Sequence, residues 1–149
     1  DRRSVYQFFT GDFISRCVCL VFFLAFPTTN TRPLITGSGL WNQAALWLYS
    51  IDAADNLFPS IHCLVSWFCY LGIRGRKEIP RWYQSVSMVI ALLVFASTLL
   101  TKQHVIVDVA GGVLLAEFCF FIGRKTDLYR IYERFGSRIE QKIRRLTEG

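Results

Sequence analysis

The sequence predicts an all-α, polytopic membrane bundle with about four crossings. Three observations carry that expectation. First, 52% of the 149 residues are apolar and the mean hydropathy is +0.33, which is greasy for a soluble domain of this size. Second, the apolar residues are clustered rather than spread. Third, the links between clusters alternate between basic and non-basic. The alternative, buried core helices of a soluble all-α protein, explains the first observation but not the third.

Each predicted helix follows from its own run. The first covers residues 5–26, where Cys17 to Phe26 is wholly apolar and Pro27 stops it. The second covers 60–73, opening at Pro59-Ser60, a helix-start signal with Ser as a good N-cap. The third covers 83–101 and contains the uncharged stretch Val86 to Leu100; the fourth covers 104–123, with only Asp108 and Glu117 as acids. A full crossing takes about 20 mostly apolar residues, and two of the runs are shorter, so tilt or local thinning must make up the difference. Residues 28–59 form the main non-membrane stretch. Within it, Trp41 to Ile51 suits a short helix at the interface, where aromatic rings prefer to sit.

Charge then assigns sides. Arg2 and Arg3 precede the first run; Arg74, Arg76, Lys77 and Arg81 fill the link between the second and third; Arg124 and Lys125 follow the fourth. The 28–59 stretch carries one Arg against Asp52 and Asp55, and the turn before His104 one Lys. The positive-inside rule puts the basic links in the cytoplasm. Arg32, His62, Lys102 and His104 then share the opposite face. The net charge of +6 is explained by anchors beside anionic headgroups, with no nucleic acid required. Residues 1–123 thus form a membrane core and 124–149 a basic tail. In the tail Leu128, Ile131, Tyr132, Phe135, Ile139 and Ile143 recur at helical spacing, as expected of an amphipathic helix along the inner surface or of a partner-binding helix.

The two histidines, the only ones in the chain, both stand at borders of apolar runs. His62 falls in the first turn of its helix, where unpaired amides and the helix dipole favour an anion. Ser60 beside it serves as a cap, an anion ligand or both. His104 and Asp108 are four apart, hence on one helical face, where a carboxylate fixes the imidazole tautomer and supports its cation. A bare carboxylate inside an apolar zone is costly, which makes His104 the expected partner of Asp108. Gly111-Gly112 allows another helix close. Arg32 and Lys102 are the strongly basic side chains of this face, suited to a phosphate dianion or to headgroup anchoring. Glu117 reads as a packing-level hydrogen bond or a cytoplasmic-side snorkeller, without a catalytic role. The five cysteines, scattered within apolar runs, suggest neither a disulfide framework nor a zinc cluster; they read as inert packing residues, with a nucleophilic Cys63 the weaker alternative.

Together these residues resemble the type 2 phosphatidic acid phosphatase superfamily, which also includes the sphingolipid phosphotransferases and the vanadium haloperoxidases. Arg32-Pro33 resembles the end of its first motif, Pro59-Ser60-Ile61-His62 its second, and Ser97, His104 and Asp108 its third. Ala25, Ile61 and Thr98 stand where the family carries Lys, Gly and Arg; Lys102, one turn beyond Thr98, is a candidate substitute cation. Such variation resembles the phosphotransferase-like branch, which includes inositol phosphorylceramide and sphingomyelin synthases.

The resemblance implies a six-helix fold of which this chain is the C-terminal part. It implies a metal-free and cofactor-free lipid phosphatase of an outward-facing site, in a plasma membrane of bacterial type. His104 would be the nucleophile forming a phosphohistidine, Asp108 its orienting carboxylate and His62 the acid then base. Arg32, Ser60 and Lys102 would bind the phosphate. Two other expectations stand beside this one: a lipid phosphotransferase, and a non-enzymatic helical protein using the histidines for haem or in a transport path. The lipid and the oligomeric state are not legible.

Overall fold

A computed structural model describes residues 2–52 and 55–147, with side chains up to residue 139 in the last helix. Six α-helices follow one another: α1 (Arg2–Ala25), α2 (Leu40–Ile51), α3 (Ile61–Ile73), α4 (Arg81–Leu100), α5 (Ile106–Lys125) and α6 (Tyr129–Thr147). The expected all-α class is observed, and the predicted runs match α1, α3, α4 and α5 within two or three residues at each end.

Three of these helices, α1, α4 and α5, are long and apolar enough to cross a membrane. The fourth, α3, has 13 residues and a length of about 20 Å, short of the roughly 30 Å hydrocarbon core. Its ends are set by local chemistry. Ser60 Oγ accepts the Cys63 amide at 3.4 Å at the start, and Gly75 follows the last turn at φ +72°, a conformation that favours glycine. Gln84 then ties the α3–α4 link to α4. Its side chain accepts the Gly75 amide at 2.8 Å and donates to the Arg76 and Ile79 carbonyls, each at 2.9 Å.

α3 is the centre of the bundle. Leu64, Phe68 and Leu71 on it are buried with Cys19 of α1 and Ala116 and Cys119 of α5. Phe68 meets Phe8 and Phe120 edge-on, at centroid distances of 5.0 and 5.7 Å. α1 runs antiparallel to α5, and the two approach at glycines. A Cβ on Gly123 would lie 2.6 Å from the Gln7 carbonyl oxygen, and one on Gly11 would lie 2.9 Å from that of Cys119. Small residues at such crossings allow the backbone contact that packs helices where burial from water gives no help.

Outward, the bundle is apolar. α4 buries only 11% of its most apolar stretch, and Leu24, Leu93, Leu114 and Phe118 are exposed. That is inverted for a soluble protein and ordinary for one solvated by lipid. The charged pair inside α1 is self-neutralised, Arg16 gripping Asp12 with two bonds of 2.8 and 3.1 Å. Cys19, Cys63 and Cys119 are buried as expected of packing residues, but Cys17 and Cys69 face outward. Their runs are apolar all round, so no local pattern distinguishes an inward from an outward face.

The 28–59 stretch contains the expected short helix as α2, with Trp41 and Trp47 exposed. Its flanks are stitched to the bundle. Thr28 Oγ1 accepts the amides of Leu57 and Phe58 at 2.8 and 3.1 Å. Asn30 Nδ2 donates to the Lys102 carbonyl at 3.0 Å, and Tyr49 OH to that of Thr101 at 2.8 Å. In the tail, α6 packs on α1 through buried Tyr129, over whose ring Arg3 lies at 5.2 Å. Ile131, Phe135 and Ile139 of the amphipathic pattern are exposed; the side chain of Ile143 lies outside the described part, as do residues 148–149.

Candidate active site

His62 and His104 reach one place because α3 and α5 are bonded together at their starts. The Ser60 amide donates to the Asp108 carbonyl at 3.1 Å. A Cβ on Gly112 would lie 2.5 Å from the Ser60 carbonyl oxygen and 3.2 Å from the Leu64 nitrogen, so the glycine admits α3 to contact distance. The imidazole rings stand 5.7 Å apart between centroids, inclined at 61°. His62 is exposed and His104 buried.

The His104 backbone is set by the α4–α5 turn. Thr98 closes it, its carbonyl accepting the amides of Gln103 and His104 at 3.0 and 3.2 Å, and Lys102 occupies the left-handed region at φ 54°. His104 Nδ1 faces Asp108 Oδ2 at 3.4 Å. That is long for a hydrogen bond, and Nδ1 has no better partner among the described residues. The same Oδ2 accepts the Val105 amide at 3.0 Å, so Asp108 also caps α5. Burial pushes the His104 pKa below its ordinary 6.5; the Asp108 carboxylate pulls the other way, less strongly.

The rings open on a cavity of about 240 Å³. Asp52, Asp55 and Asn56 supply the rest of its polar lining, and Phe23, Leu57 and Ile61 the apolar part. In the sequence Asp52 and Asp55 register only through their charge, and none of the three as a site residue. Their one signal is position: Asp55-Asn56 lies immediately before the Leu57–His62 segment, and Asp52 three residues earlier.

The three expected phosphate ligands are placed differently from one another. Arg32 is tied to Asp52: Nη2 reaches Oδ2 at 2.8 Å and Nη1 the backbone oxygen at 2.5 Å, and the guanidinium stacks 4.6 Å from the Tyr49 ring centroid. Gln103 Nε2 donates to the same Asp52 Oδ2 at 2.8 Å. Ser60 is fully buried, with its hydroxyl engaged as the α3 cap. Lys102 is exposed. The described lining of the histidine cavity includes none of the three. Thr98 is buried with its hydroxyl 3.8 Å from Cys63 Sγ, and it is not part of the described cavity lining. Among the described residues no three of His, Cys, Asp and Glu come together in a set that could hold a metal ion.

Glu117 lies at the far end of the bundle. Its carboxylate receives both Arg74 nitrogens at 3.0 and 3.3 Å and the Trp67 indole N–H at 3.0 Å, a hydrogen-bonded packing role away from the histidines.

A family model matches most of this chain. The profile of the PAP2 superfamily covers residues 1–122. The chain belongs to the PAP2 superfamily. Members of that superfamily are generally phosphatases, and the three long apolar helices agree with an integral membrane protein. No curated protein and no solved structure matches the chain.

Proposed function

We propose that this PAP2 superfamily member hydrolyses a lipid phosphate or diphosphate at the extracytoplasmic face through a phosphohistidine. The observation that carries the reading is the 5.7 Å separation of two imidazoles around one cavity, with a carboxylate behind the buried ring. One phosphorus atom between two nitrogens needs two steps of about 3 Å each, which this spacing accommodates.

In the proposed reaction His104 is the nucleophile. With Nδ1–H directed at Asp108, Nε2 keeps its lone pair, and burial keeps the ring neutral and reactive. The 3.4 Å contact shortens as the ring gains charge, since such bonds tighten when substrate is bound. Nε2 attacks phosphorus and the bond to the leaving oxygen breaks. His62, on the exposed side, gives that oxygen a proton and then takes one from the water that cleaves the phosphohistidine. Arg32, Lys102 and the free amides at the start of α3 are the proposed stabilisers of the equatorial oxygens, with Ser60 holding that helix start in place. Arg32 reaches phosphate by exchanging the Asp52 carboxylate for it.

The proposed orientation rests on charge. Arg74, Arg76, Lys77, Arg124 and Lys125 lie at the end of the bundle away from the histidines, which the positive-inside rule makes cytoplasmic. α3 then provides a fourth crossing, with local thinning at its ends. The exposed apolar face of α6 rests on the inner leaflet. The family resemblance makes a bacterial plasma membrane the proposed location.

A second reading, transfer of a phospho-headgroup to an alcohol, is favoured by the buried Thr98 and by Ile61 in the second motif. The test is to incubate the purified protein with phosphatidate, phosphatidylglycerol phosphate and polyprenyl diphosphate labelled at the phosphate. Hydrolysis gives free phosphate with water alone and an acid-labile labelled protein that His104→Ala abolishes. Label recovered as the phosphoester of an added alcohol, in place of free phosphate, supports transfer; label leaving the lipid undiminished with His104→Ala overturns both.

A further inference from the structure

A cavity larger than the one at the histidines lies elsewhere. At the opposite end of the bundle a recess of about 500 Å³ is lined by Arg74, Arg76, Lys77 and Arg124, with Glu78 as its acid and Gln7 across from them. It adjoins a second recess of about 450 Å³ on the outer surface of α1, α3 and α4. The two share Ser4, Phe8, Gly72 and Arg76, and the second is lined mainly by apolar side chains such as Val5, Phe9, Ile73 and Ile79. Arg76 sits at the junction. Its Nε donates to the Gly72 carbonyl at 2.6 Å, which aims the guanidinium and leaves its terminal nitrogens to an anion. Arg74 is shared with Glu117, so the excess positive charge rests on Arg76, Lys77 and Arg124.

A basic recess that shares a wall with an apolar groove fits one kind of molecule: an amphiphile with an anionic phosphate head and an acyl tail. We infer that this recess binds an anionic phospholipid of the adjoining leaflet, head among Arg76, Lys77 and Arg124 and one chain along α1 and α4. Basic recesses between spanning helices are suited to such headgroups, and the adjoining apolar groove on the outer surface selects a lipid over a soluble phosphate. The inference rests on the membrane setting proposed above but not on the histidine chemistry.

The test measures the thermal stability of the full protein in neutral detergent with added phosphatidylglycerol, phosphatidylcholine, or glycerol phosphate. Phosphatidylglycerol is expected to raise the transition saturably, and the other two at equal concentration are not. Lys77→Gln and Arg124→Gln are each expected to weaken the apparent affinity about fivefold per charge removed, and Lys77→Arg to restore it. The shift should survive in His104→Ala, which separates this recess from the histidine cavity. An equal shift with phosphatidylcholine, saturation by glycerol phosphate alone, an unchanged affinity in both Gln variants, or loss of the shift in His104→Ala would each overturn the inference. Size-exclusion profiles confirm that the variants remain folded; a Gln variant that does not fold leaves the decision to the lipid comparison on the unmodified chain.

Discussion

The Asp108 carbonyl accepts the Ser60 amide at 3.1 Å, so the helix that bears Asp108 is bonded to the cap of the helix that bears His62. One backbone hydrogen bond thereby joins two segments far apart in the chain. Gly112, one turn further along α5, makes that approach possible.

Gly112→Ala is therefore expected to be severe. Its Cβ would meet backbone on α3 rather than a yielding side chain, and overpacking of this kind costs about 1–3 kcal/mol. Separation of the two imidazoles should lower turnover more than it lowers thermal stability. Activity and unfolding midpoint measured on the same detergent sample check this; normal turnover in a folded Gly112→Ala protein contradicts the account of how the site is assembled.

Asp108→Asn separates the two roles of that carboxylate. An amide oxygen can still accept the Val105 amide, so α5 stays capped. It cannot support the charge on His104. Turnover should fall by about 10²–10⁴-fold with little change in helix content, read by circular dichroism. Equal loss of structure and activity would reduce Asp108 to a cap.

The acid limb of activity should lie below the ordinary histidine range. Burial holds the His104 pKa under 6.5, so the ring stays unprotonated to lower pH than a free imidazole. Asp108 opposes that shift, hence Asp108→Asn should move the limb lower still. The same displacement bears on stability. The unfolded chain takes up the His104 proton near 6.5, the folded chain only at lower pH. The stability contributed by keeping this ring neutral is thus complete above about 6.5 and is lost as pH falls through the folded value. Unfolding midpoints compared between the unmodified protein and His104→Gln over that range should converge toward acid pH.

Asp52 is expected to restrain phosphate binding. It holds Arg32 at 2.8 Å and lines the histidine cavity, so a dianion entering there meets a like charge and a guanidinium already engaged. Asp52→Asn keeps an oxygen for Arg32 while removing the charge. Inhibition by inorganic phosphate should strengthen about fivefold, the order of one unit charge at contact in a wet site. Weaker inhibition would show that Asp52 aids the site instead.

What the amino-acid sequence alone determined is what depends on near neighbours in the chain. Apolar runs specified α1, α3, α4 and α5 because run length and the residues that start and stop a helix act within a few residues. The alternation of basic links placed His62 and His104 on one face because charge bias is read loop by loop. His104 and Asp108 do meet, but not on a shared helical face: His104 precedes α5, and the α4–α5 turn with the Asp108 cap brings the two together. Tertiary structure alone decided what depends on residues distant in sequence. Arg32, expected to face phosphate, is held by Asp52 across a loop whose path no local pattern encodes. Asp55 and Asn56 enter the cavity because Thr28 pins the segment after them. Thr98 is turned toward Cys63 by the α3–α4 packing, and Glu117 finds Arg74 on another helix. Side chains that meet across helices are selected by which backbones can approach, and at Gly11, Gly112 and Gly123 that selection was made by the absence of a single carbon atom.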